Sequence, residues 1–598
     1  MVCQVNMHAS YLDPILMLHP HRDLLQILIA AQDCYGYIHT DAIDHLSLQL
    51  QLPRAKIVGV ASFYAHLYLQ PKGKYRVLFS DNITDRMQGN MALMESMCKQ
   101  LWVEPGKVSE DGLVSIDTTS CTGMCDQGPA MLVNGLAINR LTEERINRIS
   151  ALVRGRVPLS GWPAALFAID DNIRRRDILL DNCFEAGSAL AVLLQGGSDK
   201  TLQEIKASRL RGRGGAGFST GNKWQLCRDA GETDHYVVCN ADEGEPGTFK
   251  DRVLLENFAD MVFEGMTLCA NIIGAERGFL YLRGEYRYLL PSLQSVLARR
   301  REKKLLGNNI LGLAGFNFDI DIHLGAGAYI CGEESALIES LEGKRGTPRN
   351  RPPFPVTQGY LNQPTVVNNV ETFAAASLIA LKSGAWYANI GTNTSSGTKI
   401  LCVSGDCEYP GIYEYPFGVS IAQVLSDCGA KDTQAVQISG PSGMCIAPDE
   451  FHRRIAFDDI PTSGAFMVFD KTRDMFEVAR NFVHFFAFES CGFCTPCRIG
   501  TTLLTNMMDK LGDGHGSPYD FNEIKNLNAL LKSTSHCGLG HTACNPVLQT
   551  MAKFPETYDK RISNKEFVPA FDLDRTLSQA RQMTGRNDTG AHLARSDD

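Results

Sequence analysis

The chain has 598 residues, a hydrophobic fraction of 44%, a charged fraction of 21% and a formal net charge of −9. That length exceeds what one hydrophobic core supports, so several domains are expected, and the composition is that of an ordered globular protein. Because the balance is acidic and lysine and arginine are scattered, nucleic acid is not an expected partner.

The sequence predicts neither export nor a membrane span. Met1 to Pro20 contain Asp13 and lack a basic start followed by an apolar core. The apolar run from Phe373 to Ala380 is followed by Lys382 and is far shorter than the roughly 18 to 20 residues of a spanning helix. We therefore expect a cytoplasmic protein without direct membrane insertion. Its 19 cysteines are then expected to be thiols and metal ligands, not disulfides.

The first 155 residues predict two small modules. Apolar residues recur at helical spacing from about residue 14 to 68. A strand is predicted at Lys74 to Phe79, a helix at Met91 to Leu101, and a hairpin around Asn134-Gly135. A helical module is therefore expected to precede a compact α/β unit.

Short strands then alternate with long helices from Pro158 to about Gly391, which predicts a mostly parallel sheet covered by helices. Its clearest strands are Tyr236 to Cys239, Gly278 to Leu282 and Phe318 to His323.

A small mixed β domain is expected next, followed by helices from Thr472 and a disordered polar tail from about Gly585. Its predicted elements are the strand Lys399 to Val403, the turn-rich stretch Tyr409 to Tyr415, the helix Ile421 to Leu425 and the strand Ala435 to Ile438. The fold class is thus multidomain α/β and α+β, with predicted segments 1–70, 71–155, 156–395, 396–475, 476–570 and 571–598.

Three cysteines near residue 491 form a C-x-x-C-x-x-C pattern: Cys491, Cys494 and Cys497. This spacing lets three thiolates converge on one [4Fe-4S] cluster, whose fourth iron needs a distant cysteine. Cys537 and Cys544 are the candidates. A structural zinc site is the alternative, although such sites usually use two separated C-x-x-C pairs.

The densest glycine segment of the chain lies at residues 211–224. Gly212, Gly214 and Gly217 satisfy G-x-G-x-x-G, but Thr201 to Leu210 before them predict a helix where the dinucleotide-binding fingerprint requires a strand. Glycine backbone could still close on a phosphate or a flat ring, with Lys223 supplying positive charge. A surface loop without a ligand is the alternative.

Asp242, Glu243 and Glu245 crowd an acidic loop after the strand at Tyr236. Carboxylates accept hydrogen bonds from ribose or ribityl hydroxyls, so this loop could hold the other end of a nucleotide. A solvated acidic turn is the alternative. Residues 325–334 and 365–372 form two further loops of the type that binds ligands at strand ends.

Taken in their order along the chain, these motifs resemble the NADH-binding flavoprotein subunit of respiratory complex I and its relatives, over about residues 202 to 550. The resemblance implies an NAD-linked oxidoreductase subunit that exchanges hydride between NAD(H) and FMN and single electrons between FMN and a [4Fe-4S] cluster, with no catalytic side chain. The residues implied for FMN are Gly212, Gly214, Gly215, Lys223, Asn240, Asp242, Glu243, Tyr329, Gly332, Glu333, Glu334, Asn368, Asn369 and Thr372.

The same resemblance implies further roles. Phe218 would stack on the adenine of NADH, and Lys223, Glu245 and Glu334 would line its site, while Leu226 stands where some relatives carry a second aromatic residue. The implied cluster ligands are Cys491, Cys494, Cys497 and Cys537, and residues 396–475 resemble a ubiquitin-like β-grasp module.

Residues 10 to 150 resemble the thioredoxin-like [2Fe-2S] subunit that accompanies this flavoprotein. That family uses four cysteines. Here Cys121 and Cys125 match one pair, whereas Ser80 and Asp85 stand at the positions of the other. Neither serine nor aspartate is a usual ligand of such a cluster, so we expect the [2Fe-2S] site to be lost or unstable.

The fusion of the two modules, without ferredoxin-like cysteines after Cys544, most resembles diaphorase subunits of cytoplasmic NAD-reducing nickel-iron hydrogenases. Expected partners are an iron-sulfur relay subunit and hydrogenase subunits. The flavoproteins of NAD-dependent formate dehydrogenase and of complex I are alternatives. Two readings outside this family are a flavin-free dehydrogenase and a zinc- and nucleotide-binding scaffold. The main hypothesis requires the flavin pocket to lie within electron-tunnelling reach of the cysteine cluster.

Overall fold

The computed structural model describes residues 12–18, 23–231, 234–562 and 573–586. Most of the tail predicted from Gly585, and most of the segment examined for an export signal, lie outside the described residues.

The N-terminal module consists of four short helices, as the periodicity predicts. Its apolar face, with Leu24, Leu28 and Leu46, is buried in one hydrophobic core with Leu337 of the central domain and Leu504 of the C-terminal helices. The module is therefore joined to both domains by a common core. Its helices are α1 (Leu12–Leu18), α2 (Leu24–Tyr35), α3 (Thr40–Leu50) and α4 (Arg54–Ala61).

The second module is an α/β unit with its own core. Its sheet has the strand order β2-β1-β3-β4, in which β1 is parallel to β2 and antiparallel to β3. The predicted Asn134-Gly135 turn joins β3 to β4 in an antiparallel hairpin. The elements are β1 (Tyr75–Ser80), α5 (Ile83–Met87), α6 (Asn90–Leu101), β2 (Val114–Thr119), β3 (Met131–Val133), β4 (Leu136–Ile138) and α7 (Glu143–Arg154).

The central domain has the predicted parallel sheet, with strand order β8-β7-β6-β9. The almost wholly buried helices α12 and α16 cover it. Its strands are β6 (Tyr236–Ala241), β7 (Arg277–Leu282), β8 (Asp319–Leu324) and β9 (Thr365–Asn369). Its helices are α8 (Ser188–Gly196), α9 (Ser198–Ala207), α10 (Thr220–Arg228), α11 (Lys250–Asn257), α12 (Ala259–Ile273), α13 (Leu290–Glu302), α14 (Glu334–Leu341), α15 (Pro355–Gln358), α16 (Val370–Lys382) and α17 (Gly384–Ala388).

A mixed sheet follows, with strand order β13-β12-β14-β10-β11-β5. Its two central strands, β10 and β14, are parallel and one helix, α18, packs with it, as in a β-grasp module. The stretch predicted as turn-rich contains the strand β11, and the sheet gains β5 from outside the predicted segment. The elements are β5 (Ile173–Arg175), β10 (Thr398–Gly405), β11 (Gly411–Pro416), α18 (Ile421–Asp427), β12 (Thr433–Ile438), β13 (Met444–Ile446) and β14 (Ala465–Asp470).

The C-terminal part is helical, as predicted from Thr472 onward. Among the described residues, the structure contains no helix both long enough and apolar enough to cross a bilayer. The helices are α19 (Met475–Glu489), α20 (Thr495–Gly512), α21 (Pro518–Thr534), α22 (Gly538–Thr542), α23 (Asn545–Lys553), α24 (Pro555–Asp559) and α25 (Leu573–Thr584).

Candidate cofactor and cluster site

A cavity of about 600 Å³ opens at the carboxyl ends of β6 and β9, where parallel sheets bind ligands. This volume is within the range of cofactor pockets. The glycine loop, the acidic loop and the segment after β8 form its walls, so the fold brings together motifs that are far apart in the sequence. The predicted residues that line it are Gly214, Gly215, Asn240, Asp242, Glu243, Glu245, Tyr329, Gly332, Glu333 and Asn369.

The other predicted residues lie behind or beside these walls. The hydroxyl of Thr372 accepts a hydrogen bond from the backbone N–H of Arg213 at 2.9 Å, and Asn368 accepts one from the indole of Trp224 at 2.9 Å. The backbone of Gly212 donates to the carbonyl of Phe218 at 2.8 Å. These contacts fix the glycine loop against β9 and α16.

The predicted NADH residues Phe218, Lys223 and Glu334 are not among the residues that line this cavity. The ammonium of Lys223 lies 2.9 Å from the Glu334 carboxylate and donates to the carbonyl of Val367 at 3.1 Å. The ring of Phe218 is half exposed, as is Leu226. A half-exposed aromatic ring such as that of Phe218 is free to stack on a base.

Three predicted carboxylates accept hydrogen bonds from the protein itself. Glu243 caps helix α11 and accepts from the hydroxyl of Tyr286 at 3.0 Å. Glu333 caps α14, and Glu245 accepts from the hydroxyl of Tyr329 at 2.5 Å. Burial raises the pKa of Glu243 to about 7 and also raises that of Glu245. In this conformation these carboxylates hold the loops in place.

The Oδ2 atom of Asp242 is buried and has no hydrogen-bond partner in the protein. Burial raises the pKa of Asp242 well above its ordinary value. Gly332 faces it, and a Cβ there would lie 3.3 Å from the Asp242 carbonyl. An unpaired buried acceptor on a cavity wall requires a donor, and a ribityl hydroxyl of FMN would supply one. The residues present therefore fit the predicted cofactor.

One wall was missed by the sequence reasoning, because it comes from the β-grasp module. Ser439, Ser442 and Ser463 line the cavity, together with Lys250, the single lysine or arginine among the described lining residues. The serine- and glycine-rich turn at 439–443, directly after β12, is the signal that could have identified this wall.

The three cysteines of the C-x-x-C-x-x-C pattern, referred to below as the cysteine clasp, line a second, small cavity together with Cys537. Cys491 follows α19, Cys494 and Cys497 begin α20, and Cys537 precedes α22. Burial and neighbouring thiols raise the pKa of Cys497 to about 11 and that of Cys537 to about 12. Four cysteines around one space are the donor set of a [4Fe-4S] cluster.

The geometry also bears on the two alternatives left open by the sequence, a zinc site in place of the cluster and Cys544 in place of Cys537. Within the described part of the chain, no three His, Cys, Asp or Glu side chains are placed to hold a single metal ion. A cubane places its four ligands on four different irons, so their sulfurs surround a volume. Cys544 is buried but does not line either cavity.

The two cavities share three wall residues: Ile330, Cys537 and Leu539. Burial is the main cause of the raised pKa of Tyr329, a residue of the large cavity, and Cys537 is close enough to contribute to it. A cofactor in one cavity and a cluster in the other would be separated by single side chains.

Cys121 and Cys125 of the α/β module stand where the related family holds its [2Fe-2S] cluster. Their sulfurs lie 3.5 Å apart. The amide of Asn82 donates to the Cys125 sulfur at 3.0 Å. Ser80 donates to Asp85 at 2.6 Å, and burial raises the pKa of Asp85 well above its ordinary value. Two thiols, a hydroxyl and a carboxyl paired with that hydroxyl do not supply the ligands of a [2Fe-2S] cluster.

Three protein-family models match the chain. Residues 14–154 match the thioredoxin-like [2Fe-2S] ferredoxin family, and residues 205–377 match the Nuo51 FMN-binding domain. Residues 477–561 match the iron-sulfur binding region of NADH-ubiquinone oxidoreductase F. These matches confirm the predicted resemblance in both halves of the chain.

One relative and one solved structure match nearly the whole chain, and a second relative matches part of it. The alpha subunit of the NAD-reducing hydrogenase HoxS of Cupriavidus necator is 44% identical over 93% of this chain and 94% of its own length. Subunit HndC of the NADP-reducing hydrogenase of Solidesulfovibrio fructosivorans is 43% identical over 60% of this chain and 76% of its own. A crystal structure of H2-reduced NAD+-reducing [NiFe]-hydrogenase contains a chain that superposes with a TM-score of 0.87 and 41% identity, covering 95% of this chain and 98% of that one.

Proposed function

The chain belongs to the family of NAD-reducing hydrogenase alpha subunits, and on that premise we propose that it is the diaphorase subunit of such an enzyme. When bound, FMN exchanges hydride with NAD(H) and single electrons with a [4Fe-4S] cluster. The protein's part is to bind and orient both partners of these exchanges.

The observation that carries this proposal is the common wall of the two cavities. Ile330, Cys537 and Leu539 border both the nucleotide-sized cavity and the space between the four cysteines. Because electron transfer needs proximity and no bond between the centres, side chains in contact with both spaces provide the required arrangement. A zinc- and nucleotide-binding scaffold would have no use for it.

The residues around the large cavity divide into three roles. The Gly214-Gly215 backbone forms a wall without side chains, suited to a flat ring or a phosphate, and Asp242 offers the free acceptor for a ribityl hydroxyl. Phe218 offers a half-exposed ring for adenine, and the Lys223–Glu334 ion pair would line the rest of the NADH site. The capping carboxylates keep these loops in place.

The partners that we propose are an iron-sulfur relay subunit and hydrogenase subunits. The side chains of Phe488 and Phe493, close to the cysteine clasp in sequence, are 60% and 52% exposed. Exposed aromatic rings next to a redox centre suit a protein that takes over its electrons. We place the complex in the cytoplasm, since the cysteines of the described residues are all free.

The direct test is the composition and reactivity of the purified full-length chain. We expect FMN in near-equal amount to protein, about four irons per chain, and bleaching of the flavin band by NADH followed by an electron paramagnetic resonance (EPR) signal of the reduced cluster. A colourless protein with zinc and no flavin would contradict the proposal. Protein with NADH-oxidising activity and no acid-released FMN would indicate the flavin-free dehydrogenase.

The identity of the wider enzyme needs the native complex. Nickel in the isolated complex would support the hydrogenase. Molybdenum or tungsten would instead identify a formate dehydrogenase and would overturn the hydrogenase part of the proposal, while the exchange between NAD(H), FMN and the cluster would still be tested on the purified chain.

A further inference from the structure

The thioredoxin-like module has lost two cluster thiols, yet its residues 120–126 contact side chains that are hydrogen-bonded in turn to Tyr329 and Glu243, two residues of the flavin cavity wall. Cys121 and Cys125 belong to the hydrophobic core of the central domain, whereas most of the module's other buried apolar residues form a separate core. Their thiols therefore act as buried apolar groups between two domains.

The first contact connects three parts of the molecule through one carboxylate. The hydroxyl of Ser120 donates to Glu489 at 2.5 Å, and the other oxygen of Glu489 accepts from the backbone N–H of Tyr329 at 3.0 Å. Tyr329 lines the large cavity, and Glu489 lies two residues before Cys491. The module is thus hydrogen-bonded to Glu489, in the short segment that precedes the cysteine clasp.

The second contact reaches the acidic loop. Arg283 donates to the carbonyl of Cys121 at 2.7 Å and also to the carbonyl of Glu243. Gly123 lies against the ring of Tyr286, where an added Cβ would come within 2.5 Å, and the Tyr286 hydroxyl donates to the Glu243 carboxylate at 3.0 Å. Two side chains therefore connect residues 121–123 with Glu243.

The third contact is a buried ion pair. Arg252 and Asp126 lie 3.1 Å apart with both side chains fully buried, and the backbone N–H of Arg252 donates to Glu243 at 3.3 Å. A buried ion pair is costly to break, because either partner alone leaves an uncompensated charge. The first contact reaches the segment before Cys491, and the other two reach Glu243 of the acidic loop.

From these contacts we infer that the module is a cluster-free clamp: residues 120–126 position the acidic loop of the flavin cavity and the segment before Cys491 relative to each other. The inference rests on the proposed function and extends it. Ser120 is a positioning residue that acts through Glu489. The module contributes geometry to electron transfer and no redox centre of its own.

The test compares two serine-to-alanine variants of the FMN-loaded full-length chain. Ser120→Ala removes the hydrogen bond to Glu489. Ser96→Ala is the matched control, since Ser96 donates to Glu143 at 2.9 Å within the module. We expect Ser120→Ala to slow cluster reduction after flavin bleaching about three- to tenfold, less than the hundredfold that a 1 Å misplacement can cost. The KM for NADH and the iron content should match wild type, and Ser96→Ala should match it throughout.

Iron and sulfide counts on the wild-type chain test the absence of a second cluster. About four irons per chain and a single EPR species support the inference, whereas about six irons and a second species overturn it. Equal cluster-reduction rates in Ser120→Ala, Ser96→Ala and wild type would also overturn it. Failure of NADH to bleach wild-type flavin would instead refute the proposed function, so the two results are distinguishable.

Discussion

Replacing Cys537 or Cys544 by serine tests which distant cysteine completes the cluster. Cys537 lines both cavities and interacts electrostatically with Cys491 and Cys497, whereas burial alone raises the pKa of Cys544. We therefore expect Cys537→Ser to lose the cluster and Cys544→Ser to keep it. The two variants are matched, since both remove one buried sulfur.

The expected iron content and stability of the two variants follow from the environment of each cysteine. At pH 7 a thiol whose pKa is about 12, as for Cys537, is ionised about once in 10⁵ molecules. Iron must displace that proton, and a serine hydroxyl holds its proton more tightly still. We expect iron to fall from about four to below about one per chain in Cys537→Ser. Cys544→Ser should lose only stability, about 1–3 kcal/mol for an unpaired buried hydroxyl.

The assay combines iron and sulfide analysis with stopped-flow kinetics. In Cys537→Ser, NADH should still bleach the flavin, while the cluster EPR signal and the reduction of acceptors that depend on the cluster should disappear. Full iron content in Cys537→Ser together with cluster loss in Cys544→Ser would refute the assignment and the inference drawn from the common wall.

Three further changes have expected outcomes. Gly217→Ala, at φ +65°, should weaken FMN binding about tenfold by fluorescence titration, whereas Gly59→Ala, whose Cβ meets nothing within 4 Å, should leave binding unchanged. Arg252→Met should cost about 3–5 kcal/mol by leaving Asp126 buried and unpaired, visible as a lower Tm, and adding Asp126→Leu should recover part of the loss. The raised pKa of Glu243 means that the folded state binds its proton more tightly, so stability should fall as pH rises from about 4.5 to about 7, and Glu243→Gln should flatten the Tm profile in that window.

Local patterns were sufficient to predict most elements. The strand at Tyr236 and the hairpin at Asn134-Gly135 are present as predicted, because alternation and turn chemistry act over a few residues. The sequence predicts a turn-rich stretch at Tyr409 to Tyr415, where the structure has the strand β11. A short segment that contains glycine, proline and three tyrosines has no clear period. Its pairing with β10 and with Ile173 decides its conformation.

Most of the predicted cofactor-binding residues line one cavity, but several have tasks that their residue type does not reveal. A carboxylate such as Glu243 can face a ligand or cap a helix, and only its distances to the N–H groups of Asp251 and Arg252 distinguish the two. The serines of the β-grasp wall were missed because they lie some 200 residues from the glycine loop and come near it only after the domains pack.

By itself the sequence determined the chemistry of this protein: three thiols at fixed spacing, a glycine loop, an acidic loop, and a second pair of thiols without its partners. Spacing along a chain carries this information because a turn or a clasp forms within a few residues. Only the tertiary structure decided what lies next to what. It placed Cys537 between two cavities, left Cys544 away from both, and set Ser120 against Glu489. These contacts join residues far apart in sequence, so they depend on how whole domains pack.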